Sequence, residues 1–311
     1  MRTRAAAFEV APSHGIRVRV GDEWYQPTDF ALGQIAERAG VPLAYLRQLA
    51  SPKAEAWQHQ LAAQILREHY GNADNTRVLV RSVRGQMRGW LSDKYRRLDS
   101  RPLVEALAEE SAAIGAIPVD GIATETRISL KVILPEILEP LPGEFLVCGG
   151  NWQNSDVGNG THSFQLYAIR VACSNGMTME NMLKQVHLGG RLSDSIEFSD
   201  RTHQLDTAAS VSALRDVVRG ALGPAARDRL VESIRDAGNR EMSRNQLSQA
   251  TRSLTKPVQK SIVDAFESSD VINLPPGNTA WRASNAISWI ARHTDNPELR
   301  LDLERAAGEI V

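Results

Sequence analysis

Between Arg77 and Arg101 eight cationic side chains (Arg77, Arg81, Arg84, Arg88, Lys94, Arg96, Arg97 and Arg101) stand against two acids, Asp93 and Asp99. The whole chain of 311 residues sits at a formal net charge of −1. The local excess is therefore set against an acidic remainder, and the positive charge is placed rather than general. Guanidinium forks match phosphate oxygens two at a time, and the interleaved Trp90 and Tyr95 offer flat rings on which bases stack. "RVLVRSV" and "QMRGWL" suit two strands joined by a tight turn at Arg84-Gly85. Because strand side chains alternate, Arg84, Gln86, Arg88 and Trp90 are expected on one face. Such a face fits a polyanion, with Arg81, Arg84, Arg88, Lys94, Arg96 and Arg97 on phosphates and Trp90 and Tyr95 on bases. It also fits a solvated sheet face with Trp90 turned inward and the arginines paired to distant acids.

Other chemistries find less support. The histidines (His14, His59, His69, His162, His187, His203, His293) make no closely spaced pair of the kind a metal needs, and no cysteine sits at ligand spacing. A nuclease of the acid…acid-x-Lys type wants an acid two residues before Lys131, where Ser129 stands, so Asp120 and Glu125 lack that partner. No nucleophile-elbow signature is present. "CGGNWQNSDVGNGTHSF" (148–164) lacks the Gly-Lys-Ser/Thr ending of a phosphate loop, and its glycines suit positive φ in a long loop. Its Trp152, Asn154 and Asn159 are second-rank ligand contacts. "LGQIAERAGVPLAYLRQLA" (32–50) has the outline of a helix-turn-helix, with Arg47 and Gln48 on its second helix; two short packing helices give the same outline. No cofactor is expected, and the chemistry points toward binding rather than catalysis.

The elements that must hold these residues change character near residue 200. Before it, strand patterns alternate with Gly/Asn turns. "TRISLKVIL" (126–134) alternates Ile128, Leu130 and Val132 against Arg127, Ser129 and Lys131, as a strand with one wet face does. "SFQLYAIRVACS" (163–174) reads as a longer strand ended by a turn at Asn175-Gly176. After residue 200 the spacing is helical: 204–222 up to Gly223-Pro224, then 225–237, 243–254, 257–268, 279–294 and 297–308, with Pro257 and Pro297 in first turns. The expected class is α+β, an antiparallel sheet with helices in the N-terminal two-thirds and a helical C-terminal part. The expected units are 1–200, carrying the basic hairpin, and 201–311, packing on that core or on neighbouring subunits. No run reaches 18 consecutive apolar residues, so no membrane span is expected. The N-terminal apolar stretch is too short for a signal peptide, and Cys148 and Cys173 sit beside apolar residues; both suit a reduced, cytoplasmic setting.

"WLSDKYRRLDSRPLVEAL" (90–107), "NWQNSDVGNGTHSFQLYAIRVACSNGM" (151–177) and "NTAWRASNAISWIARH" (278–293) together resemble the prokaryotic domain-of-unknown-function family 932, whose members are described as phage- or plasmid-like proteins of mobile elements. The resemblance extends from about residue 25 to the C-terminus and is looser over 185–270. It implies a context of DNA replication, recombination or defence, and supplies no catalytic residues. By a looser analogy of fold class and charge placement, the chain is similar to single-strand annealing proteins such as the RecT and Redβ groups. The function expected on these grounds is ATP-independent binding and annealing of single-stranded DNA, with RNA as the alternative strand, by a homo-oligomeric ring or helical assembly. An anti-defence or regulatory protein that binds a protein partner is the alternative, and a metal-dependent nuclease with scattered carboxylates the third.

Overall fold

The computed structural model describes residues 2–4, 7–71, 77–92, 95–171, 175–185, 198–269 and 273–311. Its described elements form two sheets and a set of helices. The first sheet contains β1 (Arg2–Arg4), β2 (Ala7–Ala11), β3 (Gly15–Val20), β4 (Glu23–Pro27), β5 (Arg77–Val83) and β6 (Gln86–Ser92), in the order β1-β5-β6-β4-β3-β2. All its pairings are antiparallel except β4 with β6. The parallel pair is possible because α1 (Asp29–Arg38), α2 (Leu43–Leu49) and α3 (Ala56–Gly71) carry the chain back across the sheet. These helices bury Ile35, Leu46 and Leu66 against Phe8, Val18, Met87 and Trp90. The helix-turn-helix outline is thereby used for packing, and α2 is only 7 residues long.

After α4 (Ser100–Ala113), a five-stranded antiparallel sheet follows: β7 (Ile117–Ala123), β8 (Ile128–Leu141), β9 (Glu144–Asn154), β10 (His162–Arg170) and β11 (Asn175–Gln185), in the order β11-β10-β9-β8-β7. The C-terminal helices are α5 (Asp200–Ala221), α6 (Pro224–Asn239), α7 (Arg244–Ala250), α8 (Lys256–Glu267), α9 (Ala280–Arg292) and α10 (Pro297–Gly308). Local signals fix their starts. Ser199 and Asn296 accept hydrogen bonds from first-turn amides, Ser243 and Gln246 close a capping box, and Pro224 and Pro297 occupy positions whose N–H has no helical partner. The protein is α+β, with its strands in the N-terminal two-thirds and helices at the C-terminus.

Residue 200 is not a core boundary. Leu146, Cys148, Ala168 and Met177 of the second sheet share one hydrophobic cluster with Leu230, Ile234, Ile262, Trp281, Ile287 and Leu303 of the C-terminal helices. Val132, Trp152, Phe164 and Leu166 share another with α4 and α5.

Three local expectations are corrected. The glycines of "CGG" lie inside β9, where a Cβ on Gly150 would collide with the Phe164 ring; they permit close packing rather than a loop. Asn175-Gly176 opens β11 instead of ending β10, and a Cβ on Gly176 would strike Tyr167. The supposed wet face of β8 is covered: Ser129 and Lys131 are each 1% exposed beneath α10.

Candidate nucleic-acid interface

The β5–β6 hairpin forms as its sequence requires. Arg84 and Gly85 both take positive φ (51° and 80°), the pairing of conformations that matches the right-handed twist of a two-residue hairpin. The expected face of Arg84, Gln86, Arg88 and Trp90 does not form. Arg81 stands opposite Gly89 and Ser82 opposite Met87, so Arg88 is an extra residue in β6. This bulge breaks the alternation between Arg88 and Trp90. Met87 and Trp90 turn inward together, 0% and 1% exposed, and Trp90 packs against Phe8 and Tyr70 at ring-centroid distances of 6.0 and 5.3 Å. Trp90 is a core residue and cannot serve as a stacking platform in this conformation. Trp152 is likewise buried, 0% exposed, in the cluster with Phe164 and Leu166.

The bulge presents Arg88 to a cleft between the hairpin and the turn that joins β7 to β8. This cleft, of about 360 Å³, is walled by Arg81, Arg88, Arg97 and Arg127, with Glu125 and Asp156 as its lining carboxylates. The four guanidinium groups are held differently. Arg81 donates to Asp99 at 2.6 Å and lies 3.7 Å from Asp156, while Arg97 donates to the same Asp99 at 3.0 Å. Burial opposes the charge of Asp99, yet the hydrogen bonds from Arg81 and Arg97 outweigh it and hold the carboxyl below its ordinary range. Arg127 bridges to Glu298 at 2.9 Å and Asp302 at 3.1 Å on α10. Arg88 instead donates to backbone carbonyls, Thr124 at 3.0 Å and Glu125, and has no carboxylate partner among the described residues. Arg84, exposed at the hairpin tip, has no side-chain partner among the described residues. Within the cleft the unmatched cation is therefore Arg88, and Arg84 adds a second one at the hairpin tip, outside the cleft lining.

Other predicted contacts lie elsewhere. Arg96 is clamped by both oxygens of Asp206 on α5, each at 2.7 Å, and by Ser210 at 2.9 Å, which ties the segment before α4 to α5 and removes Arg96 from the cleft. The Tyr95 hydroxyl donates to the Ser155 carbonyl at 2.9 Å, and burial raises its pKa, so this ring is a structural strut. Lys94 falls outside the described residues. Asn154, 1% exposed, donates to Ser100 at 2.9 Å and Asp156 at 3.1 Å; it lines the cleft from beneath. Asn159 donates to Thr126 at 2.7 Å and borders an adjoining compartment. Arg127 is the cleft residue that the basic-run reading missed. Its signal was its place beside Ser129 and Lys131 on the polar side of β8.

Cys148 is buried and its thiol is pushed up to about 11, which leaves it protonated and inert near neutrality. Asp120 and Glu304 do converge from distant positions, as scattered nuclease carboxylates would. The Lys131 ammonium sits between them at 2.9 and 2.7 Å, in the place where a cation would have to bind. Among the described residues no group of three or more His, Cys, Asp or Glu is arranged to hold a metal ion, and no helix is long and apolar enough to cross a membrane. No family model, curated protein or solved structure matches the chain. Its chemistry is therefore read from its own residues.

Proposed function

We propose that the cleft beside Arg88 holds a single nucleic-acid strand by its phosphates, and that the protein is an ATP-independent single-strand binding and annealing protein working as a homo-oligomer. The observation that carries this reading is Arg88, a cation without a carboxylate partner among the described residues, lining a cleft walled by three further arginines, with the exposed and unpaired Arg84 at the tip of the same hairpin. Arg81, Arg97 and Arg127 are fixed in place by carboxylates, so a strand would meet prearranged guanidinium groups at little entropic cost. Trp90, expected to stack, and Trp152, a second-rank contact, are both in the core, and Tyr95 is a strut. The grip would therefore fall on the backbone and leave the pairing edges free, which is what annealing needs.

The test is fluorescence anisotropy with a labelled single-stranded oligonucleotide over a range of salt. Affinity should fall steeply with salt, by a logarithmic slope of about 0.7 per phosphate contact. The Arg84→Ala/Arg88→Ala double variant should lose about tenfold or more at low salt and show a shallower slope. Wild-type protein that binds no oligonucleotide at low salt would refute the reading.

A protein partner is the second reading, and a specific surface favours it. Ile137, Phe145 and Val171 lie on one face at the end of the second sheet, exposed by 66%, 45% and 48%. Light scattering of wild type against Phe145→Asp tests this surface: loss of the oligomer in the variant, with the cleft untouched, assigns it to the copy-to-copy contact of the first reading, and an unchanged oligomer favours a different protein partner.

A further inference from the structure

A second compartment, of about 240 Å³, adjoins the cleft and shares Arg127 and Asn154 with it. Its wall is a row of side chains set by strand register. Ser129 of β8 stands opposite Gln153 of β9, Gln153 opposite Ser163 of β10, and Ser163 opposite Lys184 of β11. Cross-strand partners project from the same face, so four strands present an unbroken polar row where a helix-covered sheet would ordinarily carry aliphatics. Gln153, Ser163 and Lys184 line the compartment, with Arg127 and Arg305 at its rim. Among the described residues no carboxylate lines it, although Asp302 pairs with both Arg127 and Arg305, at 3.1 and 3.2 Å.

Much of this polarity is unspent. The side chains of Gln153, Thr161, Ser163 and Lys184 make no hydrogen bond to any described residue. Ser163 is only 6% exposed, yet its unpartnered hydroxyl is not fully enclosed and so stays open to the compartment. The contrast with Ser129 is instructive: farther under α10, its hydroxyl is satisfied by Asn151 at 2.7 Å. The donors around the compartment are an ammonium, two guanidinium groups and two hydroxyls, beside the amides of Gln153, Asn154, Asn159 and Gln165. This set suits a compact oxyanion with several acceptor oxygens.

We propose that this compartment is a binding site for a phosphate monoester, with Lys184 and Arg305 supplying the charge and Ser163 and Thr161 the neutral donors. A monoester fits better than a continuing diester, because a terminal phosphate carries up to two charges and exposes three oxygens to donors on different walls. The proposal does not depend on what the cleft holds. The phosphate belongs either to the end of a strand or to a free small molecule.

The experiment is isothermal titration of the full chain with inorganic phosphate and with 5′-adenosine monophosphate, at low ionic strength. Saturable binding at one site per chain is expected, weakened at least tenfold in Lys184→Gln/Arg305→Gln and severalfold in Ser163→Ala. Lys184 is exposed and the Arg305 side chain is 53% exposed, so the double variant should keep its fold, checked by an unchanged thermal unfolding profile. A parallel titration uses oligonucleotides ending in a 5′-phosphate, a 3′-phosphate or hydroxyls only. A phosphorylated end that binds tighter in wild type, with the gain lost in the double variant, identifies the strand end as the source. Binding of inorganic phosphate or the mononucleotide with no gain from a phosphorylated end identifies a free ligand. Absence of saturable binding by any phosphate monoester, or binding unchanged in the double variant, overturns the proposal. Neither result bears on the cleft, whose own test is the hydroxyl-ended strand against Arg84→Ala/Arg88→Ala.

Discussion

Two clusters of opposite charges sit on the two sides of the β7–β8 turn, and they differ in what they leave unmatched. On the sheet under α10, Lys131 lies 2.9 Å from Asp120 and 2.7 Å from Glu304, and Arg300 pairs with both acids. The Lys131 and Glu304 side chains are 1% and 4% exposed. Two cations answer two anions, and no space remains between them. At the hairpin, Arg81 and Arg97 share Asp99 at the edge of an open cleft, while Arg88 holds only carbonyl oxygens. The same residue types thus make a closed fastening in one place and an open cationic surface in the other. What separates them is whether a helix covers the strand face. Enclosure raises the strength of each ion pair and the cost of losing one partner.

That difference predicts unequal responses to mutation. Replacing Lys131 by Met would leave Asp120 and Glu304 facing each other with only Arg300 between them, and should cost about 3–5 kcal/mol in denaturant unfolding. Converting the acids as well, in Lys131→Met/Asp120→Asn/Glu304→Gln, should recover part of that loss, because no buried charge is then stranded. Trp90→Ala should cost about as much, near 3–5 kcal/mol, since it empties a site between Phe8 and Tyr70. Trp90→Phe, which keeps the core filled, should leave oligonucleotide affinity unchanged; a large loss of binding with intact stability would restore the ring as a base contact.

A smaller effect should follow from acid. The carboxyls of Asp99 and Asp120 are held below their ordinary values by the cations beside them, against the opposing pull of burial, and that of Glu110 is lowered chiefly by hydrogen bonds from Arg219 and Arg215. A carboxyl whose folded pKa is depressed contributes stability that is complete above its unfolded pKa and is lost as pH falls through the folded one. The melting temperature should therefore be flat from pH 7 to about 5 and drop below about pH 4. Asp99→Asn should shrink the acid-dependent part of that drop. A melting temperature that rose on acidification would contradict these pairings. The smallest effect belongs to the open cluster. Arg84→Ala/Arg88→Ala should change unfolding free energy by less than about 1.5 kcal/mol, since an exposed arginine and two carbonyl contacts are all that is removed. Its consequence should be confined to strand binding.

Much of the local structure was legible in the chain. Pro257 and Pro297 marked the first turns of α8 and α10, Gly223-Pro224 marked the break between α5 and α6, and Arg84-Gly85 turned the hairpin, each through forces acting within a few residues. The site was only partly legible. The alternation rule placed Trp90 beside Arg88, and a single extra residue in β6 overturned it. The polar stripe of Ser129 and Lys131 had the pattern of a wet face, because periodicity reports that two faces differ and not which neighbour covers each. Arg127 drew no attention as a ligand contact, since its role depends on a turn meeting the hairpin across the cleft.

What the sequence determined by itself was the succession of strands and helices and a concentration of cations near residue 90, both of them local properties. Which of those cations meet solvent was decided by tertiary structure alone. The acid that holds Arg96 lies 110 residues away, and of the two that hold Lys131 the one on α10 lies 173 away. Only the packing of α5 and α10 on the second sheet brings such groups within hydrogen-bond range, and with them sets the charge that remains to be answered from outside.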